Sequence, residues 1–299
     1  MPPWVQLVIP HAMSGSLNRC SMTLFEMRNA YRSSLSFLYG QHEIDDIFKR
    51  VIAFYFDWSP LKVGMEPNAL LQEEALATLL RVKAALQEAK PLQYVLGETH
   101  FAGMQLKVTP AVLIPRPETE ELIRWVLTEN ETKVDVWDLC TGSGCVALAI
   151  KKARPNWNIT GVDISSSALD LAKTNTEHLN VDISFIEHDL LTWNPQETVD
   201  LIVANPPYVL PSEKQHMHRN VLEFEPSLAL FVPEKDPLLF YRAMLTLGRK
   251  ALNPQGAIYF EINPLCVAEL IALGKTLGYV HSIVKKDIFG KERFVKFSR

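Results

Sequence analysis

Residues 134–150 read VDVWDLCTGSGCVALAI, and this stretch decides the fold class. Residues 134–139 form a short apolar run typical of a buried strand, and residues 146–150 continue with the apolar spacing of a helix. Between them, Gly142 and Gly144 let the backbone approach a ligand closely, and the start of the helix offers free N–H groups. The stretch therefore predicts a strand, a ligand-binding loop and a helix, in that order.

The same alternation of strands and helices continues along the C-terminal part of the chain. Short apolar runs are separated by helical or loop stretches and occupy residues 134–139, 159–162, 183–186, 201–204 and 257–262. Such alternation predicts a parallel sheet with crossover helices. Residues 280–284 and 294–297 read as two further strands joined by a loop, the last one antiparallel. The predicted fold class is α/β, with a Rossmann-like sheet.

The N-terminal part of the chain has a different pattern. In residues 22–90 the apolar side chains recur at helical spacing, which predicts a small helical domain. Pro91 ends this region, and residues 93–108 alternate around two glycines, so residues 91–117 are predicted to be a β-hairpin linker. Residues 118–299 would then form the α/β domain.

Residues 1–21 contain no acidic side chain and show no usable periodicity. They lack the long apolar centre and small-residue exit of a secretory signal. Arg19, Arg28 and Arg32, with several serines, leave a mitochondrial presequence open. A misassigned upstream start is favoured, because Met22 opens an amphipathic helix. We therefore expect residues 1–21 to be an unstructured extension.

Composition and charge exclude several classes of protein. Of the 299 residues, 47% are hydrophobic and 21% are charged, which excludes a disordered or fibrous chain. The net charge of −4 provides no global field for a polyanion, so stable nucleic-acid binding is not expected. No stretch reaches the roughly 18 to 20 uncharged apolar residues that a membrane span needs, so a membrane protein is excluded as well.

The cysteines and histidines predict neither a disulfide framework nor a metal site. His216 and His218 have no third ligand nearby and are interpreted as solvated. The four cysteines form no C-x-x-C pair and no metal-ligand spacing: Cys20, Cys140, Cys145 and Cys266. This pattern favours a reducing compartment, and we expect the protein in the cytoplasm rather than in mitochondria.

Asp163 follows Gly144 by 19 residues and lies at the end of the second predicted strand. A carboxylate at that position can accept hydrogen bonds from both hydroxyls of a ribose. The spacing Gly142-x-Gly144-x-x-Ala147 also overlaps a dinucleotide fingerprint. The sequence therefore predicts a nucleoside ligand and leaves NAD open at this point.

Asn205-Pro206-Pro207-Tyr208 comes directly after the fourth predicted strand. The two prolines fix φ and remove two N–H donors, so the backbone carbonyls of this turn can point outward without a partner. The side-chain oxygen of Asn205 and the carbonyl of Pro206 could together accept the hydrogens of an amide or amino nitrogen. Such a pair would orient the nitrogen toward an electrophile, which is catalysis by positioning.

The glycine-rich loop and the Asn-Pro-Pro-Tyr turn together resemble the class I S-adenosylmethionine-dependent methyltransferases that act on planar nitrogen. Three further segments resemble the HemK family, the release factor glutamine methyltransferases: Pro91-x-Gln93-Tyr94-x-Leu96-Gly97, Ile114-Pro115-Arg116-Pro117-Glu118-Thr119-Glu120, and Glu225-Pro226 followed by Leu228-Ala229-Leu230. The resemblance covers about residues 22–299. It implies a class I methyltransferase sheet with an N-terminal substrate-docking domain.

The resemblance also implies a cofactor, a partner and roles for individual residues. The cofactor would be S-adenosylmethionine, and the partner a peptide chain release factor, methylated on the glutamine amide of its Gly-Gly-Gln loop. Asn205 and Pro206 would hold that amide, with Pro207 completing the turn, Tyr208 packing against it and Asn205 also facing the cofactor. The cofactor would be bound by the residues Cys140, Thr141, Gly142, Ser143 and Gly144 at its methionine part, Asp163 at its ribose, and Asp189 and Leu190 at its adenine.

Two positions depart from the family pattern. Cys140 stands where the family often has glycine, and we expect a negative φ there because cysteine tolerates the turn only in that case. Phe231-Val232-Pro233 replaces a small, glycine-containing stretch, which leaves the conformation of that loop open.

Two alternatives to a protein-glutamine methyltransferase stay open. The same turn suits the amino groups of nucleic-acid bases, although the net charge and the lack of a target-recognition segment disfavour a DNA or RNA methyltransferase. A non-catalytic module that binds a nucleoside or the ribosome is the other alternative. Residues 285–299 carry six basic side chains, and an exposed hairpin face is favoured there over an RNA-binding patch.

Overall fold

The computed structural model describes residues 22–299 and divides into two compact units, with the boundary between Leu96 and Gly97. The expectation of an unstructured extension at residues 1–21 lies outside the described residues. None of the described helices is both long enough and apolar enough to cross a membrane.

The N-terminal unit is helical, as its apolar spacing predicts. Its helices are α1 (Leu24–Leu35), α2 (Gln41–Phe56), α3 (Pro60–Met65), α4 (Glu73–Gln87) and α5 (Leu92–Leu96). Helix α1 begins at a capping box, in which Thr23 and Glu26 satisfy each other's backbone N–H groups. In the core, Tyr31 packs edge-on against Phe48, and its hydroxyl donates to the carbonyl oxygen of Leu79 at 2.7 Å.

Residues 97–107 open the second unit with a β-hairpin. Strands β1 (Glu98–Phe101) and β2 (Met104–Lys107) pair antiparallel through a turn in which Ala102 and Gly103 both have positive φ. The hairpin prediction is wrong for residues 93–96, which belong to helix α5. Four residues are too few to distinguish the two-residue period of a strand from the 3.6-residue period of a helix, so the sequence pattern of residues 93–96 is ambiguous.

The use of the N-terminal helical unit for substrate docking stays a prediction.

The rest of the second unit is a seven-stranded sheet with helices on both faces. Its strands are β3 (Asp135–Leu139), β4 (Asn158–Asp163), β5 (Ser184–Glu187), β6 (Val199–Ala204), β7 (Leu252–Glu261), β8 (His281–Lys286) and β9 (Glu292–Ser298). Its helices are α6 (Pro117–Glu129), α7 (Cys145–Ala153), α8 (Ser166–Leu179), α9 (Arg219–Phe224), α10 (Ser227–Leu230), α11 (Leu239–Ala251) and α12 (Val267–Thr276).

The strand order β5-β4-β3-β6-β7-β9-β8 confirms the predicted fold class. Strands β5, β4, β3, β6 and β7 pair in parallel, whereas β9 pairs antiparallel with both β7 and β8. Along β7, Ile258 and Phe260 belong to the core on one face, and Tyr259 belongs to the core on the other. Both faces of the sheet are therefore covered, as parallel sheets require.

The order of the strands reverses at β3. The chain runs outward from β3 to β4 and β5, and then returns to pair β6 with the other side of β3. In open α/β sheets, ligands bind outside the carboxyl ends of the strands at such a reversal. The loops after β3, β4 and β6 meet there.

The loop after β3 is a tight turn with three residues of positive φ: Cys140 at 60°, Gly142 at 54° and Gly144 at 78°. The expectation of a negative φ at Cys140 is therefore wrong. The turn is held by the N–H of Thr141, which donates to the carbonyl oxygen of Val162 at 3.1 Å, and by that of Gly144, which donates to the carbonyl oxygen of Thr141 at 2.9 Å. These bonds impose the left-handed conformation on a residue that has a side chain.

This strain predicts opposite effects for two substitutions at Cys140. Cys140→Gly should keep or raise the free energy of unfolding, because a left-handed conformation costs an L residue about 1 to 2 kcal/mol. Cys140→Val should lower it by about 1 to 2 kcal/mol, since a β-branched side chain tolerates positive φ worst. Chemical denaturation of both variants and the parent checks the order, and a valine variant more stable than the glycine variant would contradict it.

Candidate active site

A cleft of about 390 Å³ opens at the carboxyl ends of β3, β4, β5 and β6. Its lining includes nine of the residues singled out from the sequence: Cys140, Thr141, Gly142, Ser143, Asp163, Asp189, Leu190, Asn205 and Pro207. Its size is that of a small-molecule site. The sheet thus brings together in one cavity residues from the ends of four strands, β3, β4, β5 and β6.

Three of the predicted site residues lie beside this cleft rather than on its wall. Gly144 immediately precedes helix α7, and a Cβ there would come within 3.2 Å of the Cβ of Ala172 on α8, so this glycine permits close packing of two helices. Pro206 is buried. Tyr208 lines an adjoining cavity of about 250 Å³, together with Leu113 and Arg116.

Asp163 is fixed in place by backbone donors. One carboxylate oxygen, Oδ2, accepts from the N–H of Gly142 at 2.8 Å, and the other, Oδ1, accepts from that of Ser165 at 3.0 Å. Burial raises the pKa of Asp163, and these hydrogen bonds oppose the rise. Each carboxylate oxygen keeps a lone pair for a further donor, so the group can accept two hydroxyls from the cleft.

The side chain of Asp138 hydrogen-bonds to the glycine-rich loop and to the first turn of helix α7. Its Oδ2 accepts from the hydroxyl of Thr141 at 2.5 Å and from the backbone N–H of Ala147 at 3.1 Å. Burial raises the pKa of Asp138 to about 7, against the lowering effect of these two bonds and with a further rise from the nearby charge of Asp163. The side chain joins the turn to the first turn of α7, and so shapes the wall of the cleft.

The loop after β5 supplies an apolar part of the cleft. The N–H of His188 donates to the carbonyl oxygen of Asp163 at 2.9 Å, and Asp189 Oδ1 accepts from the N–H of Leu191 at 2.9 Å. Leu190 is buried, whereas Leu191 and Ile164 are 44% and 48% exposed and face the same cleft. Two exposed aliphatic side chains in a cavity suit a flat apolar ring. Ile164 and Leu191 were not predicted from the sequence, although Ile164 directly follows Asp163 and Leu191 directly follows Leu190.

The Asn205 turn is tied to a buried carboxylate through a hydroxyl. The side-chain nitrogen of Asn205 lies 3.4 Å from Thr119 Oγ1, a long hydrogen bond, and that hydroxyl donates to Glu261 Oε2 at 2.7 Å. The hydroxyl of Tyr208 donates to the other oxygen of Glu261, Oε1, at 3.0 Å. Among the hydrogen bonds of residues 22–299, none reaches the carbonyl oxygen of Pro206.

Glu261 is almost fully buried at the end of β7, with 2% of its surface exposed. Burial raises its pKa, while the two hydroxyl donors and the nearby Arg293 oppose the rise by favouring the ionised form. Sequence reasoning assigned no role to Glu261 or Thr119. Thr119 does lie within one of the segments that carry the family resemblance, which is the signal that could have found it.

Glu225 joins two of those segments beside the cleft. Its buried carboxylate accepts from the guanidinium of Arg116 at 2.6 Å and from the backbone N–H of Ile114 at 3.2 Å. Phe231-Val232-Pro233, the stretch that departs from the family pattern, is held in place by a backbone hydrogen bond: the N–H of Val232 donates to the carbonyl oxygen of Val209 at 3.0 Å. It therefore packs beside Val209, the residue that follows Tyr208.

In the part of the chain that the structure describes, no cluster of three or more metal-ligating side chains occurs.

The chain is similar in sequence to known methyltransferases. The family model described as "Methyltransferase small domain" matches residues 119–224. Several curated relatives are named release factor glutamine methyltransferase. The protein from Flavobacterium psychrophilum is 37% identical over 92% of this chain and 99% of its own length, that from Bacteroides thetaiotaomicron is 37% identical over 90% and 97%, and that from Streptococcus pneumoniae is 45% identical over 69% and 74%.

A solved structure supports the fold independently. The hMettl16 catalytic domain, crystallised in complex with MAT2A 3′UTR hairpin 6, is 14% identical and covers 76% of this chain and 82% of its own, with a TM-score of 0.53. At that identity the likeness shows the class I methyltransferase fold alone. The level of identity to the Flavobacterium and Bacteroides proteins, over nearly the full length of each chain, shows more: this chain belongs to the release factor glutamine methyltransferase family.

Proposed function

We propose that this protein transfers a methyl group from S-adenosylmethionine to the side-chain amide of the glutamine in the Gly-Gly-Gln loop of peptide chain release factors. Family membership supports the reaction. The observation that carries it here is the turn after β6, where Asn205 lines the cleft and no hydrogen bond within residues 22–299 uses the carbonyl oxygen of Pro206. The cysteines, which lack disulfide spacing, favour the cytoplasm as its location.

The residues of the cleft fit S-adenosylmethionine, whose sulfonium would supply an electrophilic methyl group. A Cβ added at Gly142 would meet nothing within 4 Å, so the loop leaves open space where a ligand can contact its backbone. Asp163 would hold the ribose, and Asp189 with Leu190 would flank the adenine. The methionine part would lie along the loop of Cys140, Thr141, Gly142 and Ser143, with Asn205 beside it.

The Asn205 turn would do the work of orientation. An amide nitrogen is a poor nucleophile, because its lone pair is delocalised into the carbonyl. Asn205 and Pro206 would each accept one N–H of the substrate amide and so hold the nitrogen in line for attack. No strong base is needed, because the nitrogen carries a positive charge after methylation and its proton is then acidic enough to pass to water.

A nucleic-acid amino group is the competing substrate, since it would present the same two hydrogens to the same acceptors. The names of the curated relatives and the net charge of −4 both disfavour it. The two are separated by incubating the protein with labelled S-adenosylmethionine and a purified release factor, with and without nucleic acid. Label on the glutamine of the release factor is expected, and label confined to nucleic acid would contradict the proposal.

Asp163→Ala should weaken binding of S-adenosylmethionine by about 1.5 to 3 kcal/mol, because a charge-assisted hydrogen bond to the ribose is lost. Isothermal titration calorimetry measures the change. Asp170→Ala is the matched control, since Asp170 lies exposed on helix α8 with only an exposed ion pair to Lys173. Unchanged affinity in Asp163→Ala would remove the ribose assignment, and equally strong binding of NAD by the parent would favour a dehydrogenase.

Asn205→Ala should slow methyl transfer by about 100-fold or more, by analogy with the loss of a single oriented group in other active sites, and should leave cofactor affinity mostly intact. Asn205→Asp is the sharper variant, because it keeps an acceptor but adds a charge near the sulfonium. Single-turnover rates with a release factor measure both, and Asn194→Ala, at an exposed asparagine that does not line the cleft, is the control. A near-parental rate for Asn205→Ala would mean that the turn is only structural.

A further inference from the structure

We propose that Thr119 and Glu261 are positioning residues that turn the side-chain oxygen of Asn205 toward the substrate amide. This inference rests on the proposed function, because it explains how one acceptor of the pair is oriented. It assigns a role to two buried side chains that do not themselves touch the reacting atoms.

The sheet register places the carboxylate beside the turn. Strand β6 pairs with β7 so that Ala204 lies opposite Phe260, which makes Asn205 and Glu261 the next residues along neighbouring strands. Thr119 reaches the same point from the first turn of helix α6. Its backbone N–H donates to the carbonyl oxygen of Arg116 at 3.1 Å, and the residue is only 2% exposed. The three side chains are therefore held close together by rigid elements.

The donors and acceptors of this cluster can be arranged in one consistent way. Glu261 accepts at both carboxylate oxygens, from Thr119 and from Tyr208, so the hydroxyl hydrogen of Thr119 is directed to Oε2, at an oxygen separation of 2.7 Å. The hydroxyl oxygen of Thr119 can then only accept from Asn205. That requirement places the NH₂ group of Asn205 toward Thr119. Because the amide is planar, its oxygen points to the opposite side.

If the side-chain amide of Asn205 were rotated by 180°, it would lose its hydrogen bonds to both Thr119 and the substrate. The oxygen of Asn205 would face a hydroxyl oxygen with no hydrogen between them, and an NH₂ group would meet the N–H of the substrate amide. Either contact leaves a polar group without its partner. The buried carboxylate of Glu261 thus selects the productive orientation of Asn205. The hydroxyl of Tyr208 donates to the other carboxylate oxygen, Oε1, and leaves Oε2 to Thr119.

Thr119→Val tests this role, because valine has the shape of threonine without the hydroxyl. The single-turnover rate of methyl transfer should fall on the order of tenfold, the effect of one lost hydrogen bond, while cofactor affinity changes little. Thr119→Ser restores the hydroxyl and should recover most of the rate. Thr128→Val is the control on the same helix, since the hydroxyl of Thr128 donates to the backbone carbonyl of Arg124 and is exposed.

A double-mutant cycle separates positioning from general destabilisation. If Thr119 acts through Asn205, then Thr119→Val should have no further effect on the rate in an Asn205→Ala background. If Thr119→Val lowers the rate by the same factor in both backgrounds, the inference is overturned. Thr119→Ala serves in the same cycle should the valine variant not fold.

A spectroscopic readout tests the inference without any substrate. In protein labelled with ¹⁵N-asparagine, the side-chain NH₂ resonance of Asn205, identified by its loss in Asn205→Asp, should shift in Thr119→Val and stay near its parental position in Thr119→Ser and Thr128→Val. An unchanged resonance in Thr119→Val would overturn the inference. Failure of the parent to methylate a release factor would instead overturn the proposed function, and this resonance would still decide whether Thr119 orients Asn205.

Discussion

Strand β3 pairs in parallel with β4 on one side and with β6 on the other, and the candidate site depends on this central position. Parallel strands end at the same edge, so the glycine-rich loop, Asp163 and Asn205 meet although the chain between them crosses the sheet repeatedly. The hydrogen bond from Gly142 to Asp163 then locks two of these loops to each other. Strand order therefore determines which residues meet at the site, and side-chain chemistry determines what they can bind.

Buried carboxylates give this edge its rigidity. Asp138 holds the loop after β3, Glu225 holds the segment before α6, and Glu261 holds Thr119 and Tyr208. Each of them accepts at least two hydrogen bonds, which offsets the cost of burying a charge. They differ from Asp163, which keeps lone pairs directed at the cleft. Carboxylates that accept from protein groups shape the cleft, and Asp163 keeps acceptor sites for a ligand.

The parts of the site that follow strand ends could be predicted from the sequence. The glycine-rich loop and Asp163 are placed by local pattern, and so is the Asn205 turn, because each comes directly after a recognisable apolar run. The partnership of Thr119 with Glu261 could not be found in this way, since the two are 142 residues apart and meet only through the sheet register. The positive φ of Cys140 likewise depends on backbone bonds to the neighbouring strand, which no local pattern records.

In the proposed reaction, the Asn205 turn holds the substrate amide with one side-chain and one backbone acceptor. A crystal structure of the protein with S-adenosylhomocysteine and a release factor tests it most directly. We expect the glutamine nitrogen to lie within about 3.2 Å of both Asn205 Oδ1 and the carbonyl oxygen of Pro206. We also expect the NH₂ group of Asn205 to face Thr119. A glutamine side chain bound away from this turn would contradict the proposed role of Asn205 and Pro206.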